Sequence, residues 1–196
     1  TLLQYVTSST SGSFCPTTNS TLNVTVFGTS VGGSLSPAAV TLCVGSSTGI
    51  MTLVGQKGSI ISWERDFNSG GYAAIAGTAG LTTFSEVPPN GPGTYNYRVV
   101  VQNGPCTSTF SSFNTITVNS LPTLSLTPSN ISCFGNTDGS ITAIGVGGTS
   151  PYQFSLNGGG FFPGTTFTFA GLSAGSYTIA IQDAGGCSGA AQITSI

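Results

Sequence analysis

The sequence predicts an all-β chain built as tandem small β-sandwiches, and three observations predict it. Apolar residues recur at every second position in short runs bounded by Gly, Pro, Asn or Ser, the pattern of half-buried strands. Helical periodicity is absent. Only eight of the 196 residues are charged, three basic and five acidic, and there is no histidine. Soluble domains are ordinarily about a quarter charged, so most groups that perform acid–base, metal and phosphate chemistry are missing. Ser, Thr and 29 glycines take their place, which points to an extracellular β-structure that presents a surface or carries load. A net charge of −2 gives no electrostatic reason to bind nucleic acid or an anionic membrane. No apolar stretch approaches the roughly 18 to 20 residues that a membrane helix needs.

Residues 1–30 come first. Tyr5-Val6-Thr7 leads through a Ser/Gly turn to Cys15, then to alternating Leu22, Val24 and Val26. Further along, Tyr97-Arg98-Val99 leads through Asn103-Gly104-Pro105 to Cys106, then to Asn114-Thr115-Ile116-Thr117-Val118 in the same order. Residues 1–30 are therefore read as the closing β-hairpin of a preceding copy of the domain that follows, or as a strand pair donated to a neighbour. Residues 36–120 form a complete unit, with strands at 50–54, around Trp63, at Tyr95, Tyr97, Val99 and Val101, and at Ile116 and Val118. Proline-bearing joints at 34–37 and 120–122 read as boundaries. Residues 121–196 follow, with strands at Leu124 and Leu126, at 141–146, at Phe167 and Phe169, and at Tyr177, Ile179 and Ile181. Asp138-Gly139 and Asn157-Gly158 are dipeptides of type I′ hairpin turns, whose two central residues need positive φ.

Two resemblances sharpen this. Cys43 and Cys106 enclose Trp63, the only tryptophan, and Gly93-Thr94-Tyr95 and Asn103-Gly104-Pro105-Cys106 mark a strand start and a turn. This part resembles the Ig-like modules of large bacterial surface proteins. The resemblance implies a Cys43–Cys106 disulfide; Cys43 precedes the apolar run at Ile50, so the bridge would tie strand ends and not cross the core. Residues 121–196 carry Ile131-Ser132-Cys133-Phe134-Gly135, Asp138-Gly139-Ser140-Ile141, Gly147-Gly148, Pro151-Tyr152-Gln153-Phe154-Ser155, Asn157-Gly158-Gly159, Gly171-Leu172, Ala174-Gly175-Ser176-Tyr177 and the stretch from Asp183 to Cys187. In that order these are similar to the SprB-type repeat of giant adhesins of gliding bacteria. The resemblance implies export by a type IX secretion system and display on the cell surface in tandem arrays. So small a domain gains from a staple, and a Cys133–Cys187 bridge would close a loop of about fifty residues, worth ~4 kcal/mol. Cys15 is left without a partner in the chain. The lack of histidine and of C-x-x-C spacing argues against a zinc site, and the wide cysteine spacing points to an oxidising compartment.

Other constellations read as structure. Gly45-Ser46-Ser47-Thr48-Gly49 satisfies G-x-S-x-G, but the nucleophile elbow needs a histidine base and a following helix. Glu64 and Asp66 share a strand face but flank Arg65 at what reads as an exposed strand end, so they are not assigned as a glycosidase pair. Asp138 and Asp183 sit in turns, where aspartate caps backbone, and no D-x-D-x-D cluster supports calcium. Lys57 lies in a turn and lacks the surroundings of an isopeptide cross-link. Most of the 19 aromatic residues belong to cores. Phe161 and Phe162, after three glycines in a predicted loop, are the candidate surface contact.

The functional expectation is a non-catalytic structural and adhesive repeat segment of a secreted cell-surface adhesin, with no cofactor or metal. Its expected partners are neighbouring repeats of the same or adjacent chains, and polysaccharide or a mineral surface. Two alternatives are a self-assembling extracellular filament subunit and an accessory module of a secreted polysaccharide-degrading enzyme. No basic or apolar leader precedes Thr1, so the chain reads as a mature form or an excerpt of a longer protein.

Overall fold

The computed structural model describes residues 25–196. The expected hairpin of residues 1–30, and Cys15 within it, falls almost wholly outside that range. Sixteen strands and no helix form among the described residues.

Nine strands build the first sandwich: β1 (Ser34–Ser36), β2 (Ala39–Cys43), β3 (Met51–Val54), β4 (Ser59–Phe67), β5 (Ala73–Ile75), β6 (Thr83–Phe84), β7 (Gly93–Gln102), β8 (Thr109–Phe110) and β9 (Asn114–Asn119). One sheet has the order β1-β3-β6; the other runs β2-β9-β7-β4-β5, with β8 paired to β7. The predicted alternation is realised along β7, where Tyr95, Tyr97, Val99 and Val101 are all fully buried. They pack with Met51, Leu53, Trp63 and Ile116. Burying such rings is favourable only if their polar tips find partners. Trp63 Nε1 donates to Leu81 O at 2.8 Å, and Tyr95 Oη donates to Gly91 O at 2.8 Å while accepting from Asn90 N. That second contact is the tyrosine corner of Ig-like sandwiches.

The joint at 34–37 is not a boundary. It is where the chain changes sheets. β1 lies antiparallel to β3, whereas β2 lies parallel to β9. Pro37 has no N–H with which to continue a ladder, and Asn114 Nδ2 donates to its carbonyl as the chain crosses. The sandwich takes in still earlier residues, since Val31 bridges to Lys57.

Seven strands build the second sandwich: β10 (Thr123–Ser129), β11 (Gly139–Val146), β12 (Tyr152–Leu156), β13 (Phe161–Gly164), β14 (Thr166–Leu172), β15 (Ser176–Asp183) and β16 (Gln192–Ser195). Their sheets have the orders β10-β11-β14 and β13-β12-β15-β16. Leu124, Ile141, Phe154, Phe169, Ile179 and Ile181 fill the space between. Asn157 (φ 49°) and Gly158 (φ 73°) make the predicted hairpin turn between β12 and β13. Asp138-Gly139 does not. Gly139 opens β11, where a Cβ would lie 2.9 Å from the backbone carbonyl of Leu172 and 2.7 Å from the Ile196 side chain. Asp138 closes the preceding loop by accepting Ser132 N at 3.1 Å.

Candidate functional site

Every side-chain charge but that of Lys57 makes a contact within the fold. Glu64 and Arg98 face each other across β4 and β7, and Arg98 Nε donates to Glu64 at 2.7 Å. On the opposite face of β4, Arg65 Nη1 and Tyr97 Oη both donate to Glu86 Oε1, at 2.5 and 2.7 Å. Burial, reinforced by the bond to Glu86, pushes the Tyr97 phenol far above its ordinary value. Asp66 is buried and accepts Gly71 N at 2.8 Å. Glu64 and Asp66 therefore do not stand at an exposed strand end, as the sequence reading had it. The same cross-strand order that buries Trp63 places them against Arg98 and a backbone amide.

Two clusters of packed aromatic rings reach the surface, beside the exposed rings of Phe27, Phe113 and Phe134. Phe161 and Phe162 are 49% and 43% exposed, and they open the edge strand β13 where a loop was expected. Phe162 stacks on Phe167 at 4.7 Å and meets Phe169 edge-on at 5.9 Å, so its position is held from beneath. The second patch was missed by sequence reasoning: the Arg98 guanidinium lies between the Tyr72 and Phe110 rings, 3.7 Å from each centroid. Its only sequence signal is the outward position of Arg98 in an alternating strand. A shallow cleft of about 340 Å³ beside β6, lined by Ile50, Leu81, Thr83, Phe84 and Ser85, contains no ionisable group.

The cysteines overturn both expected pairings. Cys43 is bonded to Cys187, with 5.6 Å between their Cα atoms. Cys106 and Cys133 form no disulfide among the described residues. Strand geometry explains the correction. Cys43 ends β2 opposite Asn119, and neighbouring Val118 pairs with Gly93, the first residue of β7. Cys106 follows the other end of that ten-residue strand, about 30 Å away at ~3.3 Å per residue. A disulfide requires Cα atoms within about 7 Å. Cys133 is likewise separated from Cys187 by the length of β10: it follows Ser129, whereas the turn bearing Cys187 packs on Pro122 through Gly189.

Cys43 and Cys187 meet where the two sandwiches join. Gly148 N donates to Ser120 Oγ at 3.3 Å, and a Cβ on Gly189 would stand 2.0 Å from Pro122 O. Asp183 shapes the turn that presents Cys187. Its buried carboxylate accepts Thr149 N and Cys187 N, each at 2.8 Å.

Residues 125–161 match the SprB repeat. The match runs from β10 to the first residue of β13, so the rest of the SprB-like sandwich, Cys187 included, lies beyond it. Residues 31–120 match a family described as "Domain of unknown function (DUF8696)". No curated protein matches the chain. Among solved structures, the N-terminal eight Ig domains of Down Syndrome Cell Adhesion Molecule align with a TM-score of 0.52 and 13% identity, over 85% of this chain and 27% of that one. At that identity the likeness shows the fold alone. The Clostridium thermocellum CbhA fibronectin(III)-like modules align with a TM-score of 0.37 and 17% identity, over 82% of this chain and 90% of that one. The chicken CNTN1 FN1-FN3 domains give 0.39 and 11%, over 90% and 68%. The fold is all-β, an Ig-like sandwich followed by one whose first strands match SprB, and the SprB match supports a surface or adhesin-type module.

Proposed function

We propose that the chain is a structural and adhesive segment of a secreted bacterial cell-surface adhesin. The observation that carries this reading is the fate of the charges. Both arginines are in ion pairs, and each of the five side-chain carboxylates accepts a hydrogen bond within the fold. Outside, Lys57 and the turn carboxylate of Asp138 are exposed, and the rest is hydroxyl, amide and exposed ring, a surface that binds neutral polymer or mineral with little of the salt sensitivity of charge. Phe161 and Phe162 supply the apolar contact. The SprB match and the disulfide support an extracellular, cell-surface location; no helix among the described residues is long and apolar enough to cross a membrane. Type IX export and a part in gliding adhesion follow from the SprB resemblance.

Retention of the immobilised chain on insoluble neutral polysaccharide and on a mineral surface, at low and at molar salt, tests the reading. The expected result is retention that changes by less than about twofold with salt and falls in a Phe161→Ser/Phe162→Ser variant. Retention abolished by molar salt would overturn the neutral-surface reading. Release of reducing sugar by the chain, lost in Glu64→Gln, would overturn the non-catalytic one.

A further inference from the structure

A tandem surface protein is pulled from its two ends, so the covalent path between those ends decides what the force reaches. We propose that Cys43–Cys187 is a tension clamp that keeps both sandwich cores, all but Leu35 of β1, out of that path.

Val31 lies at the pole of the first sandwich remote from the junction, bridged to Lys57 in the turn between β3 and β4. From there β1 and β2 run the length of the sandwich and end at Cys43, at the junction. Cys187 stands on the other side of the bond. From it the chain runs through β16 to the far pole of the second sandwich, where Ile196 exchanges two backbone hydrogen bonds with Gly175. Residues 31–43 and 187–196 thus cross one sandwich each and are joined by the disulfide. Everything between lies in a closed covalent loop spanning 144 positions. That loop holds Met51, Trp63, Tyr95 and Tyr97 of the first core and Ile141, Phe154, Ile179 and Ile181 of the second.

Strand order fits the same conclusion. β1, β2 and β16 are each at the edge of their sheet. Tension along the clamped path can peel these edge strands, whereas the ladders from β3 to β15 are outside it. Without the bond, force would pass through residues 120–122 and then through each sandwich in full. An extended residue spans ~3.5 Å, so the closed loop withholds about 500 Å of the roughly 600 Å of contour in residues 25–196. The contour exposed to tension falls about sixfold.

The clamp rests on the reading of the chain as an extended surface segment for its use, but its existence is tested independently. The full chain, held by handles at Thr1 and Ile196, is pulled singly in three forms: oxidised, reduced and alkylated, and Cys43→Ser. Both open forms are expected to unfold sandwich by sandwich and to release about 500 Å more than the oxidised form. If Cys43→Ser does not fold, the reduced wild type supplies the comparison. Equal release from oxidised and reduced protein would overturn the clamp, as would mapping that joins Cys43 to any other cysteine. Loss of polysaccharide retention with the length difference intact would overturn the adhesive reading and leave the clamp standing.

Discussion

Replacing Asp183 by alanine asks how the junction turn is held. Asp183 is 4% exposed, and its two oxygens each accept one backbone amide, Thr149 N and Cys187 N, at 2.8 Å. Its own amide donates to Cys187 O at 2.9 Å. One carboxylate therefore ties the connection between β11 and β12 to the turn between β15 and β16. Alanine leaves two amide donors without acceptors, each costing about 1–3 kcal/mol before water reaches the site. A loss of about 2–4 kcal/mol from the second sandwich is expected. Asparagine keeps one acceptor but turns an NH₂ toward the other amide, so it should cost about 1–2 kcal/mol. Urea unfolding of the reduced proteins measures the loss without the disulfide masking it, and hydrogen exchange at the Thr149 and Cys187 amides locates it. An alanine variant within about 0.5 kcal/mol of wild type, with unchanged exchange at those two amides, would refute the role assigned to the carboxylate.

The remaining predictions concern other parts of the fold. Because burial raises the Tyr97 phenol, the folded chain keeps a proton that the unfolded chain loses above its ordinary value of about 10. The stabilisation is complete below that pH, and stability should fall by up to ~1.4 kcal/mol per unit above it; urea midpoints at rising pH should show the slope in wild type and a shallower one in Tyr97→Phe, where burial still raises the Tyr72 phenol. Peptide mapping without reduction should recover Cys43 with Cys187, and reduction should cost ~5 kcal/mol summed over both sandwiches in the chain-entropy model for a loop of 144 positions. Recovery of Cys43 with Cys106 instead would contradict the structure. Both Asn157→Gly and Asn157→Ala lose the bond that Asn157 Oδ1 accepts from Thr178 N at 2.8 Å, about 0.5–1.5 kcal/mol, and by thermal unfolding Asn157→Ala should cost about 1–2 kcal/mol more, because φ is 49° there; equal losses from both would show that the side chain and not the backbone matters.

Much of this was legible in the residues. The β7 alternation was read directly from Tyr95, Tyr97, Val99 and Val101, since a strand with one buried face needs only a two-residue period. Asn157-Gly158 announced its turn because few other residues accept positive φ twice in succession. Asp138-Gly139 looked the same and was not, because the need for glycine there came from the close approach of the Leu172 carbonyl on the neighbouring strand. Glu64 and Asp66 looked exposed because a linear reading cannot see that Arg98 lies opposite one and Gly71 N folds back to the other.

By itself the sequence determined the fold class, most strand positions and the near-absence of chemistry-bearing side chains. Each of these depends on composition or on spacing over a handful of residues. The tertiary structure alone decided which cysteines meet, that the chain changes sheets at Pro37, and that Arg98 sits between two rings. A disulfide needs two Cα atoms within about 7 Å. Whether residues 144 positions apart meet that condition depends on how one sandwich stacks upon the next across Ser120 and Pro122.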